Sequence, residues 1–224
     1  AKVESVNPEN VPVSGGCIIC ANHPLGGLDG IALIHAVSRI RKDAKFLVND
    51  ILLFFKNFGD VFVAVNKTGK NSKGALTRID DVYSSDNAVL VFPAGLVSRK
   101  QNGIIKDLEW KKSFVTKATT YKKPILPAFI EGRNTNWFYN LASFRKKIGI
   151  KANIEMFYLA DEMFNQRGKP IRIHFGKPFS PDLLDESRSH REWAQVIKSY
   201  VYEMGKGTQL SFDEYIKTLP PGRR

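Results

Sequence analysis

The sequence predicts an α/β fold: a mostly parallel central sheet flanked by helices, in one domain spanning 1–224. Two observations carry this. Short runs rich in branched and aromatic residues, bounded by Gly, Pro, Asn or Asp, alternate with helix-like stretches up to about residue 132. Such alternation is the signature of strand–helix–strand units joined by right-handed crossovers. A length of 224 residues with 43% hydrophobic content is also the size of one domain with a substantial core.

The elements follow in order. The apolar run CIICA (17–21) reads as the first strand and GIALIHAVSRI (30–40) as the first helix. Between them lies NHPLGGLDG (22–30), which puts His23 and Asp29 in the loop where a strand hands over to a helix. AKFLVND (44–50) is a second strand and ILLFFKNFGD (51–60) a short, very apolar helix, whose Leu52, Leu53, Phe54 and Phe55 suit either core or bilayer. VFVAVN (61–66) is a third strand, bounded by the turn-like KTGKNSKG, and ALTRIDDVYSSD (75–86) a helix. NAVLVFPAG (87–95) is a fourth strand, stopped by Pro93 and Gly95. A helix around LEWKKSFVTKATTYK (108–122) leads to the fifth strand, PILPAFIEG (124–132). Beyond it, 133–224 forms a helical and strand extension. Its parts are an amphipathic helix TNWFYNLASFRKKIG, a strand IRIHFGKPFS (171–180), a helix HREWAQVIKSYVYEMG closing at Gly205, and a frayed LPPGRR.

The net charge of +12 points to an anionic partner such as an acidic protein or a phospholipid surface. No nucleic-acid reading motif accompanies it, so no nucleic-acid partner is expected. No run of about 18 apolar residues is present to span a bilayer. The polar opening AKVESVNPENVPVSGG reads as the middle of a longer chain rather than a secretory signal. Cys17 and Cys20 lie three apart on a strand and so face opposite ways, which predicts two buried core thiols and a reducing cytoplasm. KTGKNS is not a phosphate-binding loop, because Ala64 stands where the first glycine of that motif belongs. His35, His174 and His190 read as structural.

In a parallel sheet the carboxyl ends of the strands converge on one rim, where open α/β proteins bind ligands. Here that rim collects His23 and Asp29, Lys67 after the third strand, Gly95 and Arg99 after the fourth, and Pro127 on the fifth. The ordered set NHPLGGLD, VAVNK, FPAG and PILPAF resembles the four motifs of the glycerophosphate and lysophospholipid acyltransferase superfamily. NHPLGGLDG in particular is similar to the bacterial branch of hemolysin-like proteins and lyso-ornithine or lyso-glycine lipid acyltransferases. The motifs fall within 16–132.

The resemblance implies a role for each matching position. His23 is the general base that takes the proton from an acceptor hydroxyl as it attacks a thioester carbonyl, work suited to imidazole chemistry near neutral pH. Asp29 orients the ring and stabilises the imidazolium, as the carboxylate of a serine-protease triad does, but with no protein nucleophile and no acyl-enzyme. Lys67 matches the arginine of the second motif and faces an anionic head group. Phe92, Pro93 and Gly95 belong to the third motif, Gly95 letting substrate approach the backbone. The donor is an acyl carrier protein or coenzyme A thioester, the acceptor a lyso-lipid, and neither cofactor nor metal is required. A peripheral place on the cytoplasmic face of the inner membrane, against anionic lipid, follows.

Two departures from the family pattern shape the expectation. Five residues separate His23 from Asp29 where the family has four, an extra residue that Gly26 and Gly27 can absorb. The third motif reads Phe92-Pro93-Ala94-Gly95, without the glutamate associated with a glycerol-phosphate acceptor. Its absence favours an acceptor without that phosphate, such as an amino-acid lipid whose carboxylate Arg99 would grip with its guanidinium fork. The alternatives are a thioester hydrolase and an inactive lipid- or nucleic-acid-binding module on the same scaffold.

Overall fold

Each central strand feeds two cores, and β2 (Cys17–Ala21) shows how. Cys17, Ile19 and Ala21 pack on one face of the sheet with Leu33, Ala36 and Val37 of α1 (Gly27–Ser38). Ile18 and Cys20 point the other way, toward α3 (Ser113–Tyr121) and α6 (His190–Gly205). A strand with both faces covered must be apolar throughout, which is why CIICA shows no alternation. The two cysteines are free, buried and on opposite faces, as their spacing predicts.

The computed structural model describes residues 2–49, 61–65, 73–220 and 222. The predicted apolar helix 51–60 and Lys67 lie outside the described residues. Seven strands form the main sheet in the order β1-β9-β8-β2-β5-β3-β4. Of these, β3 (Lys45–Asn49), β4 (Phe62–Val65), β5 (Ala88–Val91) and β8 (Ile125–Ile130) run parallel with β2. The last strand, β9 (Pro170–Phe175), pairs antiparallel with β8, and β1 (Lys2–Val6) lies parallel to β9 at the edge. The architecture is therefore the predicted one, with α1 and α2 (Lys73–Ser84) among the crossovers. No described helix is long and apolar enough to cross a membrane.

Several elements differ from expectation for identifiable reasons. β1 is a polar strand, KVESV, whose partner lies 168 residues on, so no apolar run announces it. Residues 99–106 form a hairpin, β6 (Arg99–Gln101) and β7 (Ile104–Lys106), closed by Asn102 and Gly103, both at positive φ. The helix expected from 108 begins at Ser113. A 3-10 turn (Ile154–Tyr158) leads into α5 (Leu159–Asn165), and α7 (Phe212–Lys217) follows α6. Gly205 does end α6, but not as its stop signal: its missing Cβ makes room for the Phe129 ring, which would lie 2.4 Å from one. The stop is Gly207, at φ +92°, whose N–H bonds Met204 O while Thr208 N–H reaches Glu203 O. This pair of bonds closes a helix around a left-handed residue.

Candidate active site

The turn between β2 and α1 brings His23 and Asp29 together. His23 Nδ1 lies 3.0 Å from Asp29 Oδ2, so the extra residue in the spacing does not hold the pair apart. Gly26 absorbs it, with φ +83° and ψ −137°, a conformation a side chain resists. Asp29 sits at the third position of α1 and reaches back, its Oδ2 accepting from Leu25 N at 2.7 Å and Gly26 N at 3.0 Å. One carboxylate oxygen thus caps the helix and binds the imidazole. Asp29 is fully buried, which pushes its carboxyl above the ordinary range, while His23 and the two amides pull it back down. Because Oδ2 already takes two backbone N–H groups, the ring bond is Nδ1–H donating to oxygen. Nε2 is left as the basic nitrogen, on a ring with 15% of its surface exposed.

The backbone of His23 is held from the opposite side. Its N–H donates to Asp107 Oδ1 at 3.2 Å, and its carbonyl accepts from Ser98 N at 2.8 Å. Asp107, also fully buried, takes Ser98 Oγ on the same oxygen at 2.6 Å and Trp110 Nε1 on the other at 2.8 Å. Tyr202 and Lys198 of α6 bond the Asp107 main chain at 2.7 and 2.6 Å. Just upstream, the Asn22 amide spans Ile130 N and O at 2.6 and 3.0 Å, tying the end of β2 to the end of β8. The sequence assigned no role to Asp107, Ser98 or Asn22.

The third-motif residues arrange as a turn beneath the imidazole. Gly95 N–H closes it onto Phe92 O at 2.9 Å, with Pro93 at the second position, where its fixed φ suits a turn. Gly95 itself sits at φ +65°. The Phe92 ring stacks on His23 with centroids 4.2 Å apart and 16° between planes, and Phe46 meets Phe92 edge-on at 5.2 Å. Phe92 therefore fixes the plane of the proposed base. Ala94, in place of the family's glutamate, is buried in the core with Trp110.

Arg99 requires a correction. Its guanidinium was expected to present a fork to an acceptor carboxylate, yet the residue is 8% exposed and the fork is taken up inside the protein. Nη2 bonds Glu155 Oε1 at 2.7 Å and Nη1 bonds Val97 O at 2.7 Å, with the cation over the Phe138 ring. Burial lowers the Arg99 pKa from the ordinary arginine value, Glu155 opposing this, but not enough to discharge a guanidinium. Arg145 also grips Glu155, so one buried carboxylate serves two arginines and pins the 3-10 turn to β6 and α4 (Asn136–Lys147). The other three histidines lie away from the dyad: His174 bonds Glu131, His190 bonds Thr116, and His35 is exposed on α1.

Three buried side-chain atoms lack a hydrogen-bond partner among the described residues: Asp29 Oδ1 and both polar atoms of the Asn134 amide. Asn134 precedes α4, and its backbone N–H donates to Tyr139 Oη at 3.1 Å, a phenol whose pKa rises through burial and, in smaller part, the charge of Asp29.

A buried carboxylate on an imidazole thus stands at the carboxyl rim of a parallel sheet, where open α/β proteins bind their ligands. A family model described as Acyltransferase matches residues 3–209, and the chain belongs to that family of enzymes. It is 44% identical over 205 residues to the lyso-glycine lipid O-acyltransferase of Bacteroides thetaiotaomicron, covering 91% of this chain and 75% of that protein. The Phocaeicola vulgatus protein of the same name is 43% identical over 205 residues, covering 91% and 74%. The 1-acyl-sn-glycerophosphate acyltransferase of Thermotoga maritima shares the fold, with a TM-score of 0.53 and 19% identity over 94% of this chain and 75% of that one.

Proposed function

We propose that this acyltransferase moves a fatty acyl chain from a thioester, acyl carrier protein or coenzyme A, onto a hydroxyl of a lyso-lipid carrying an amino-acid head group. The observation that carries the mechanism is the His23–Asp29 contact of 3.0 Å, with Nε2 left basic. The acceptor oxygen attacks the thioester carbon as its proton passes to Nε2. The imidazolium so formed is stabilised by Asp29 Oδ2. The carbon–sulfur bond then breaks, and the thiolate leaves with the proton returned by the ring. No acyl-enzyme forms, and no step is routed through a metal.

The acceptor class rests on two supports. The relatives named above are O-acyltransferases of lyso-glycine lipid, and the third motif carries Ala94, buried, in place of the glutamate linked to a glycerol-phosphate acceptor. With Arg99 engaged by Glu155, head-group recognition passes to other groups, among them Lys67. The enzyme works on anionic membrane lipid as a peripheral protein, its net charge of +12 favouring that surface.

The test is thiol release from acyl coenzyme A and acyl carrier protein, with and without lyso-glycine lipid and lysophosphatidic acid. Acceptor-dependent release with a diacyl amino-acid lipid as product is the expected result. Release at full rate without acceptor would make the protein a hydrolase, and preference for lysophosphatidic acid would overturn the acceptor assignment.

A further inference from the structure

Exposed large apolar side chains are not scattered over this molecule. Of twelve among the described residues, eight fall between Trp137 and Phe164. Single exposed hydrophobics need no explanation, but grouped ones mark an interaction surface.

Helix α4 shows the arrangement most clearly. Its positions 138, 139 and 142 are buried against the protein, Phe138 and Tyr139 forming a small core with Val97, Met156 and Leu159. Positions 137, 144 and 148 recur at helical spacing on a different face, and there Trp137 is 51%, Phe144 60% and Ile148 53% exposed. The helix therefore has two apolar faces and only one of them is covered. Trp137 meets Tyr158 edge-on at 4.3 Å, which joins this stripe to the turn after it, where Phe157 is 86% exposed.

The charges in the same stretch favour an anionic surface as its cover. Between residues 133 and 169 the exposed cations are Arg133, Lys146, Lys147, Lys151, Arg167 and Lys169, and the exposed acids reduce to Asp161. Exposed aromatic side chains in a stretch whose exposed charges are nearly all cationic match the interface of an anionic bilayer. The patch is also joined to the chemistry. Leu159, next to Tyr158, has its methyls 3.1 Å from where a Cβ of Gly26 would stand, in the turn that closes the dyad.

We propose that the exposed face of α4 and the 3-10 turn after it is the surface by which this enzyme docks on anionic phospholipid, setting the dyad loop beside the bilayer. The proposal rests on the lyso-lipid reading for its purpose, but its test does not. Trp110 and Trp193 are buried, 0% and 2% exposed, so Trp137 is the one of three tryptophans that lipid can reach. Its emission should shift to the blue on phosphatidylcholine vesicles containing phosphatidylglycerol, and brominated phosphatidylcholine in the same vesicles should quench it. F144S/F157S and K146E/K147E should each weaken vesicle sedimentation at least tenfold with no change in Tm, and raised salt should weaken the parent.

On the catalytic side, both variants should lose turnover with acceptor held in vesicles and keep it with a short-chain, monomeric acceptor. Unquenched Trp137, or unaltered vesicle binding in both variants, overturns the docking surface while leaving acyl transfer standing. A concentration-dependent dimer that F144S/F157S abolishes would assign the face to a second copy and overturn it too. Vesicle binding by the parent with no turnover on any acceptor would instead count against the lyso-lipid reading alone.

Discussion

Two fully buried carboxylates flank His23, and they do opposite things. Asp29 binds the ring, and its partners sit within six residues of it in the same turn. Asp107 binds the backbone amide 84 residues away, and both of its oxygens are taken, by His23, Ser98 and Trp110. Asp29 keeps one oxygen without a partner among the described residues. A saturated buried carboxylate holds a scaffold in place. One with spare capacity beside an imidazole is poised to respond when that ring gains charge.

The comparison is tested most severely by His23→Ala. Transfer should fall by about 10²- to 10⁴-fold, the range expected when a general base is removed. The ring is partly exposed, and without its bond the Asp29 carboxylate still accepts from Leu25 and Gly26 N–H, so circular dichroism and Tm should stay near those of the parent. Retained turnover would remove the base from the mechanism and with it any special role for Asp29. Next comes Asp29→Asn, expected to lower kcat by up to about 10⁴-fold, because an amide neither enforces the Nδ1–H tautomer nor stabilises imidazolium as a charge does. A loss confined to KM would mean that the carboxylate positions substrate instead.

Asp107→Asn should show the reverse balance. If its oxygen keeps His23 N and Ser98 Oγ, its amide nitrogen must face the Trp110 indole N–H, donor against donor. An unmet buried donor costs about 1–3 kcal/mol, and for a chain of this size each kcal/mol lowers Tm by about 2–4 °C. Activity should drop about tenfold at most, through a loosened His23 main chain. A catalytic loss as large as that of Asp29→Asn would erase the distinction between the two carboxylates.

The same contrast explains what could be read in the sequence. The dyad was legible because its spacing is local: a glycine pair, a histidine and an aspartate within one turn, after an apolar strand. The parallel sheet was legible because strands buried on both faces are apolar throughout, as in CIICA and AVLV. Asp107, Ser98 and Asn22 were not, since an aspartate after a hairpin looks like any surface acid until α6 arrives from 91 and 95 residues away. Arg99 misled for a related reason. A cation at a strand end looks available, and nothing local shows that Glu155, 56 residues on, will claim it. The edge strand β1 was hidden by its polarity, whereas the β6–β7 hairpin carried a usable signal in Asn102-Gly103, a pair suited to positive φ. In α4 the spacing of Trp137, Phe138, Leu141 and Phe144 announced an amphipathic helix but not that Trp137 and Phe138 serve different faces.

The smallest effect expected is also the one that separates the two carboxylates without any assay of turnover. Burial raises the Asp29 carboxyl above its ordinary value of 3.8 in the folded protein. Between that ordinary value and the raised one, the folded state binds a proton that the unfolded state has released. Stability therefore falls as pH rises through that window, and above it the full cost of the buried anion remains. Asp29→Asn carries no charge to desolvate, so its Tm should gain on the parent from pH 4 to pH 8. Thermal melts at both pH values decide the matter. A difference that shrinks or reverses as pH rises would mean that the three donors on Oδ2 outweigh burial and that Asp29 stabilises the fold as an anion.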